Sequence, residues 1–138
     1  MTGATDRVRE YYGALRAGEP LAPFFAPVDD LVKFGVSERL VGYEAVADGL
    51  RDQTETTTDW AVESHDLRVT ERERHAWFSD RVSLSWTDTD RRIRFEFETR
   101  WSGTLELRDE DEVADPESDD GAGTWQFVGM HVSAAREI

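Results

Sequence analysis

Apolar residues recur at helical spacing in the N-terminal part of the chain and in strict alternation over the rest. In TDRVREYYGALRAGEP, Val8, Tyr11, Tyr12 and Leu15 share one helical face. Thr5 or Asp6 is a candidate cap and Gly18 and Pro20 are stops, so the spacing predicts a helix over about 5–17. PLAPFFAPVDD is short and Pro-rich and predicts a turn or two anchored by Phe24 and Phe25. DLVKFGV and ERLVG read as two short strands, and Tyr43, Val46 and Leu50 predict a second helix near 43–53. From about residue 59 the period falls to two. WAVESHDLRVTE, RHAWFSDRVSLSWTD, RRIRFEFETRWSGTLELR and TWQFVGMHVSAA are rich in aromatic and branched residues, with turn chemistry at RER and DTD between them. Helices first and a strand meander afterwards predict an α+β fold, a single domain over 1–138 whose antiparallel sheet carries its helices on one face.

The last two strand segments form a hairpin around an acidic loop. If Arg108 faces Thr124, regular pairing sets Leu107 opposite Trp125, Leu105 opposite Phe127, Gly103 opposite Gly129 and Trp101 opposite His131. One face then carries Trp101, Leu105, Leu107, Trp125, Phe127 and His131. The other carries Arg100, Ser102, Thr104, Val128, Met130 and Val132. Two helices cover one side of such a sheet, and bare aromatics on the other exceed the apolar patch a monomer usually shows. The expectation is therefore a homodimer through the face with Trp101, Trp125, Phe127 and His131, and a half-polar pocket over the face with Arg100. A one-residue bulge would exchange the faces beyond it.

Charge narrows the functional classes. The net charge is -14, and DEDEVADPESDD at 109–120 holds eight acids and no base, more than half of the excess. Such a segment, with Pro116 and Gly121, reads as a solvated, mobile loop over 109–123. An acidic surface repels phosphate backbones and anionic lipid, which argues against nucleic-acid and membrane-surface partners. No apolar run approaches the roughly 20 residues of a membrane span, and the N-terminal residues lack a signal-peptide core, so a cytoplasmic protein is expected. The bases are fifteen Arg and one Lys, Lys33. Acid excess with so little Lys suggests a halophilic protein adapted to a salt-rich cytoplasm, where repulsion is screened over a Debye length of ~3 Å at 1 M. Added KCl should then raise the melting temperature; a fall would reject this hypothesis.

The absence of Cys excludes disulfides, thiolate catalysis and zinc-thiolate sites. His65, His75 and His131 lie on separate segments without HxH or HExxH spacing, so no metal site or other cofactor is expected. The acidic loop lacks a DxDxDG calcium pattern, GAG at 121–123 precedes a strand and not a helix, and no GxSxG occurs. The pocket remains. Arg100, on a half-apolar floor beside Met130 and Val132, is a candidate anchor for a carboxylate through two parallel hydrogen bonds, with a cross-strand ion pair to Glu96 or Glu98 as its alternative. Tyr11 or Tyr12 could present a phenol from the first helix, or simply pack in the core.

The order of these elements resembles the SnoaL-like branch of the nuclear transport factor 2-like superfamily. YYGALRAGEP closing a helix, the Phe-Phe turn, VGYEAV opening the next helix, HAWFS in a strand and WQFVGMHVS at the end carry the likeness over about 5–135. ETRW with WQFVGMHVS is similar to the association domain of calcium/calmodulin-dependent protein kinases. The resemblance implies a cone, with a strongly curved antiparallel sheet around about three N-terminal helices, a pocket on the concave side and dimers formed through the sheet. It also implies that Arg100 and Val132 line the pocket, while His131 lies on the covered sheet surface. Ketosteroid isomerase-like members use a first-helix Tyr, matched by Tyr11. Their base falls near Lys33 or Phe34 and their second acid near Gly103, where this chain has no carboxyl group.

Three functions follow from this reading. One is a homodimer that binds a small, carboxylate-bearing organic molecule, with Arg100 as anchor and Tyr11, Phe34, Val128, Met130 and Val132 as walls. A second is an isomerase, dehydratase or cyclase whose base is not evident, such as Glu96 or Glu98. The third is a dimerisation module without a ligand. No complete catalytic constellation is visible.

Overall fold

The computed structural model describes residues 3–109 and 123–134. Helix α1 (Ala4–Ala17) buries Val8, Tyr11, Tyr12 and Leu15, the face its spacing predicts. Gly18 ends it at φ 70°, where a side chain would be strained. Its start differs from the expectation. Gly3 is the cap in place of Thr5 or Asp6, and the Ala4 N–H donates to Glu71 Oε1 at 2.8 Å, so a strand side chain takes over the capping role. A 3₁₀ turn follows at Ala22–Phe24. Then come β1 (Val32–Phe34), β2 (Arg39–Val41), α2 (Tyr43–Thr56), β3 (Thr57–Ser64), β4 (Arg68–Glu71), β5 (His75–Asp88), β6 (Ile93–Arg108) and β7 (Thr124–Ala134).

These strands make one sheet in the order β2-β1-β7-β6-β5-β3, with β4 also pairing β5. The segment expected as one strand from Trp60 to Glu71 is two, both laid along β5. One pair, β1 with β7, is parallel, so the sheet is mixed rather than purely antiparallel. Two bulges bend it. In β3, Asp59 at φ 55° lies within a register shift against β5, and in β7 the pairing slips by one between Phe127 and Gly129. The helices fill the concave side. No helix among the described residues is long and apolar enough to cross a membrane.

The β7 bulge decides which residues of β7 share a face with Trp101. Pairing runs as expected through Arg108 with Thr124, Leu107 with Trp125 and Leu105 with Phe127. Val128 is then the extra residue, and beyond it Thr104 meets Gly129, Gly103 meets Met130, Ser102 meets His131 and Trp101 meets Val132. The concave face therefore carries Trp101, Leu105, Leu107, Trp125, Phe127, Met130 and Val132 together, all buried. This corrects the expected dimer surface. Trp101, Trp125 and Phe127 are 4, 3 and 0% exposed within one protomer, covered by its own helices, and of that set only His131 lies on the outer face. Gly103 sits in this bend: a Cβ there would come within 2.6 Å of the Gly129 carbonyl oxygen and 2.7 Å of the Phe78 ring. The expected acidic loop falls mostly on residues 110–122, outside the described residues.

Candidate functional site

Between the helices and the concave face lies a cavity of about 240 Å³. Helix α1 lends Tyr11 and Leu15 to it, and α2 lends Asp52, Gln53 and Thr56. Trp60, Trp86, Trp101 and Val132 come from the sheet, and the β1 to β2 turn adds Val36, Ser37 and Glu38. Lys33 completes the lining. Strand alternation turns it inward, opposite Met130 on one side and Leu40 on the other, while Phe34 points outward against His131.

Lys33 is 5% exposed, and its Nζ lies 3.8 Å from Glu38 Oε1. Burial lowers its pKa, because removing an ammonium from water disfavours the charged form; the Glu38 carboxylate opposes that effect in part. Tyr11 is 2% exposed and packs edge-on against Phe24, Phe25, Trp101 and Phe127 at centroid distances of 5.3–6.1 Å. Burial pushes its phenol well above the usual range, so it stays protonated. The indole of Trp101 is fixed by donation to Thr99 Oγ1 at 2.8 Å, and that hydroxyl donates in turn to the Val82 carbonyl at 2.7 Å. Trp60 stacks on Trp86 at 4.8 Å, and Trp86 meets Phe95 at 5.5 Å, so the cavity continues into a half-buried aromatic stack at one end of the sheet. The β3 bulge aims Trp60 into this stack, and Thr57 Oγ1 accepts its indole N–H at 2.8 Å.

Of the residues the sequence singled out, Tyr11 and Val132 line the cavity. Met130 is buried beside Lys33 on the neighbouring strand, and Val128 is half-buried at the bulge. Arg100 and Phe34 are exposed on the outer face. Arg100 pairs in register with Arg81 and Ser133, so its guanidinium does not anchor a ligand in the cavity. On β6 Arg100 alternates with Trp101, and the Trp101 side is the one the helices cover. Glu96 and Glu98 are exposed too, opposite Ser85 and Ser83, and so neither is a base for this cavity. Sequence reasoning missed Lys33, Trp60 and Trp86. Trp86 was legible from parity with Leu84 and Val82, whereas VKF contains nothing that marks the Lys as inward. Among the described residues, no group of three or more His, Asp or Glu is placed to hold a metal ion.

A second polar cluster lies outside the cavity lining. Asp80, 5% exposed on the concave side of β5, accepts hydrogen bonds from Tyr12 Oη at 2.8 Å, Ser64 Oγ at 2.6 Å and the Asp66 N–H at 2.9 Å. With three protein donors on its two oxygens, this carboxylate ties α1 to β3 and β5.

A curved sheet wrapped around two helices with a cavity on its concave side is the nuclear transport factor 2-like cone. Solved structures share it. A nuclear transport factor 2-like superfamily protein from Salmonella enterica superposes with a TM-score of 0.74 at 12% identity, covering 96% of this chain and 89% of that one. A protein from Xanthomonas campestris, provisionally assigned as a calcium/calmodulin-dependent protein kinase II association domain, gives 0.71 at 18% identity, with 99% and 91% covered. A provisionally assigned scytalone dehydratase from Novosphingobium aromaticivorans gives 0.71 at 15% identity, with 96% and 81% covered. At these identities the likeness shows the fold alone. The family model of the SnoaL-like domain matches residues 5–115, and the chain belongs to that family. No curated protein matches the sequence.

Proposed function

We propose that this chain binds a small, neutral, ring-bearing organic molecule in its concave cavity, and does so as a homodimer joined through the outer face of the sheet. The observation that carries the reading is the cavity itself. Tyr11, Trp60, Trp86 and Trp101 offer aromatic faces to a planar ligand, and Lys33, Glu38, Asp52 and Gln53 supply a few polar groups to orient it. At about 240 Å³ it lies below the usual range of ligand pockets, roughly 300–1,000 Å³, which suits one or two rings. With Arg100 outside, the lining carries two carboxylates, Glu38 and Asp52, against the single amine of Lys33. A carboxylate ligand would add another negative charge to that set, whereas a neutral carbonyl or phenol adds none.

The dimer rests on the outer face, where Phe34, Val41 and Trp77 are 39, 46 and 48% exposed. In a thermal-shift screen of neutral cyclic ketones, aromatic aldehydes and phenols, at least one compound should stabilise the protein. The size follows RT ln(1 + [L]/Kd), about 2.7 kcal/mol at one hundred times Kd. Trp60→Ala should weaken that shift. A panel that leaves melting unchanged would overturn the binding reading, and a lone protomer in sedimentation at working concentration would overturn the dimer.

One observation favours an enzymatic version of the same site. Lys33 stands where the resemblance implies a base, with its pKa lowered by burial, facing the cavity that Tyr11 also lines. An isomerase or dehydratase of this kind would show a rate that rises with pH through the Lys33 titration and disappears in Lys33→Met. Turnover unaffected by that substitution would remove Lys33 from the chemistry.

A further inference from the structure

We infer that Lys33 is a covalent capture point for carbonyl compounds: its Nζ adds to an aldehyde or ketone held in the cavity and, with loss of water, forms an imine. This rests on the binding reading above and goes beyond it, because reversible binding needs no bond.

Three observations support it. The chain has fifteen Arg and one Lys, and that Lys stands at a buried position facing the cavity. Guanidinium does not lose its proton in proteins and is no nucleophile, whereas an amine does and is. The ion pair with Glu38 does not account for that burial. Glu38 is 44% exposed in its side chain and 3.8 Å away, so it repays little of the cost of burying an ammonium. The surroundings suit condensation. Tyr11, Trp101 and Val132 keep the walls apolar, which favours a neutral amine and draws the dehydration forward, and Glu38 joins the buried amine to solvent.

The step balances without an oxidant or reductant. The lone pair of neutral Lys33 Nζ attacks the carbonyl carbon, the C–N bond forms, and the C=O π pair moves to oxygen. Glu38 carboxylate accepts a proton from the new ammonium while the alkoxide takes one from water, which gives a carbinolamine. Glu38 then returns its proton to the hydroxyl, the nitrogen lone pair forms C=N, the C–O bond breaks and water leaves. The product is an iminium whose N–H proton neutralises the hydroxide left when water protonated the alkoxide. Carbonyl and amine have become imine and water. At 3.8 Å, Glu38 reaches Nζ through a small shift or one bridging water.

Benzaldehyde and cyclohexanone, each with sodium cyanoborohydride at pH 7, are the probes, read by intact mass and peptide mapping of the whole chain. Lys33 is the sole lysine, so a side-chain amine adduct has one address, and the α-amino group is the internal control. Its pKa of roughly 7.7–8.0 makes it more reactive than an ordinary lysine. The expected result is one reduced adduct on Lys33, formed at least tenfold faster than on the α-amino group. Lys33→Arg should lose it, and Glu38→Gln should slow it about tenfold. Labelling of Lys33 no faster than of the α-amino group would overturn the inference. If the probes still shift melting, only the covalent step falls. If they neither shift melting nor label Lys33, and the wider panel is also silent, the binding reading falls with it.

Discussion

Asp80→Ala is expected to cost about 3–5 kcal/mol, the loss of three hydrogen bonds to one buried carboxylate. The loss has two parts. Three donors lose a charged acceptor, each such bond contributing roughly 1.5–3 kcal/mol but not additively, and the buried Tyr12 hydroxyl is left without its partner. Tyr12 is 2% exposed, and both burial and the Asp80 carboxylate raise its pKa, so it remains a donor throughout the physiological range. Native stabilities are about 5–15 kcal/mol, so the substitution should lower the melting temperature by roughly 10 °C or more. Tyr12→Phe removes one donor and keeps the ring against Trp101, so its cost should be smaller, about 1–2 kcal/mol. Urea denaturation with an unchanged slope measures both. A loss below about 1 kcal/mol for Asp80→Ala would show that the cluster does not hold α1 to the sheet.

Lys33→Met is expected to act in the opposite direction and stabilise the fold at pH 7 by about 1–4 kcal/mol, as when buried ionic groups give way to apolar ones of similar volume. The pH dependence identifies the cause. The folded pKa of Lys33 lies below its unfolded value, near 10.5, because burial disfavours the ammonium. Between the two values the unfolded chain holds a proton that the folded chain has released, so wild-type stability rises with pH through that window. The advantage of Lys33→Met is therefore full below the folded pKa and shrinks as pH approaches 10.5. Tyr11 and Tyr12, with raised pKa values, withdraw stability above pH 10 when unfolded phenols ionise. Both proteins share that loss, so the difference between them is the quantity to follow. A gap that stays constant from pH 7 to 10 would mean that desolvation of Lys33 is not its source. The same variant should form no side-chain imine with a carbonyl compound, which pairs gained stability with lost chemistry.

Much of the fold was legible because its signals are local. Val8, Tyr11, Tyr12 and Leu15 mark the buried face of α1 by spacing alone, and Gly18 marks its end. The β6 to β7 hairpin was legible through Leu105 with Phe127, since period-two alternation on both sides of the turn fixes register as far as both strands stay regular. It failed one residue later. A bulge is a single extra residue with no composition of its own, and Val128 looks like any other strand valine. From that point the β7 side chains changed sides, so Met130 and Val132 joined the face of Trp101 and His131 left it. The helices cover that aromatic face, which makes the expected dimer surface the core and leaves Arg100 outside.

The chain's pattern therefore determined its elements, their order, its family and its acidity, because each depends on residues near one another in sequence or on simple counts. What the cavity contains was decided only in three dimensions. A kink at Val128, another at Asp59 and the parallel seating of β1 on β7 together set which way Lys33, Trp60 and Val132 point. Those contacts join residues from opposite ends of the chain, and the stability they gain by excluding water is shared among all of them, so no one segment carries the information.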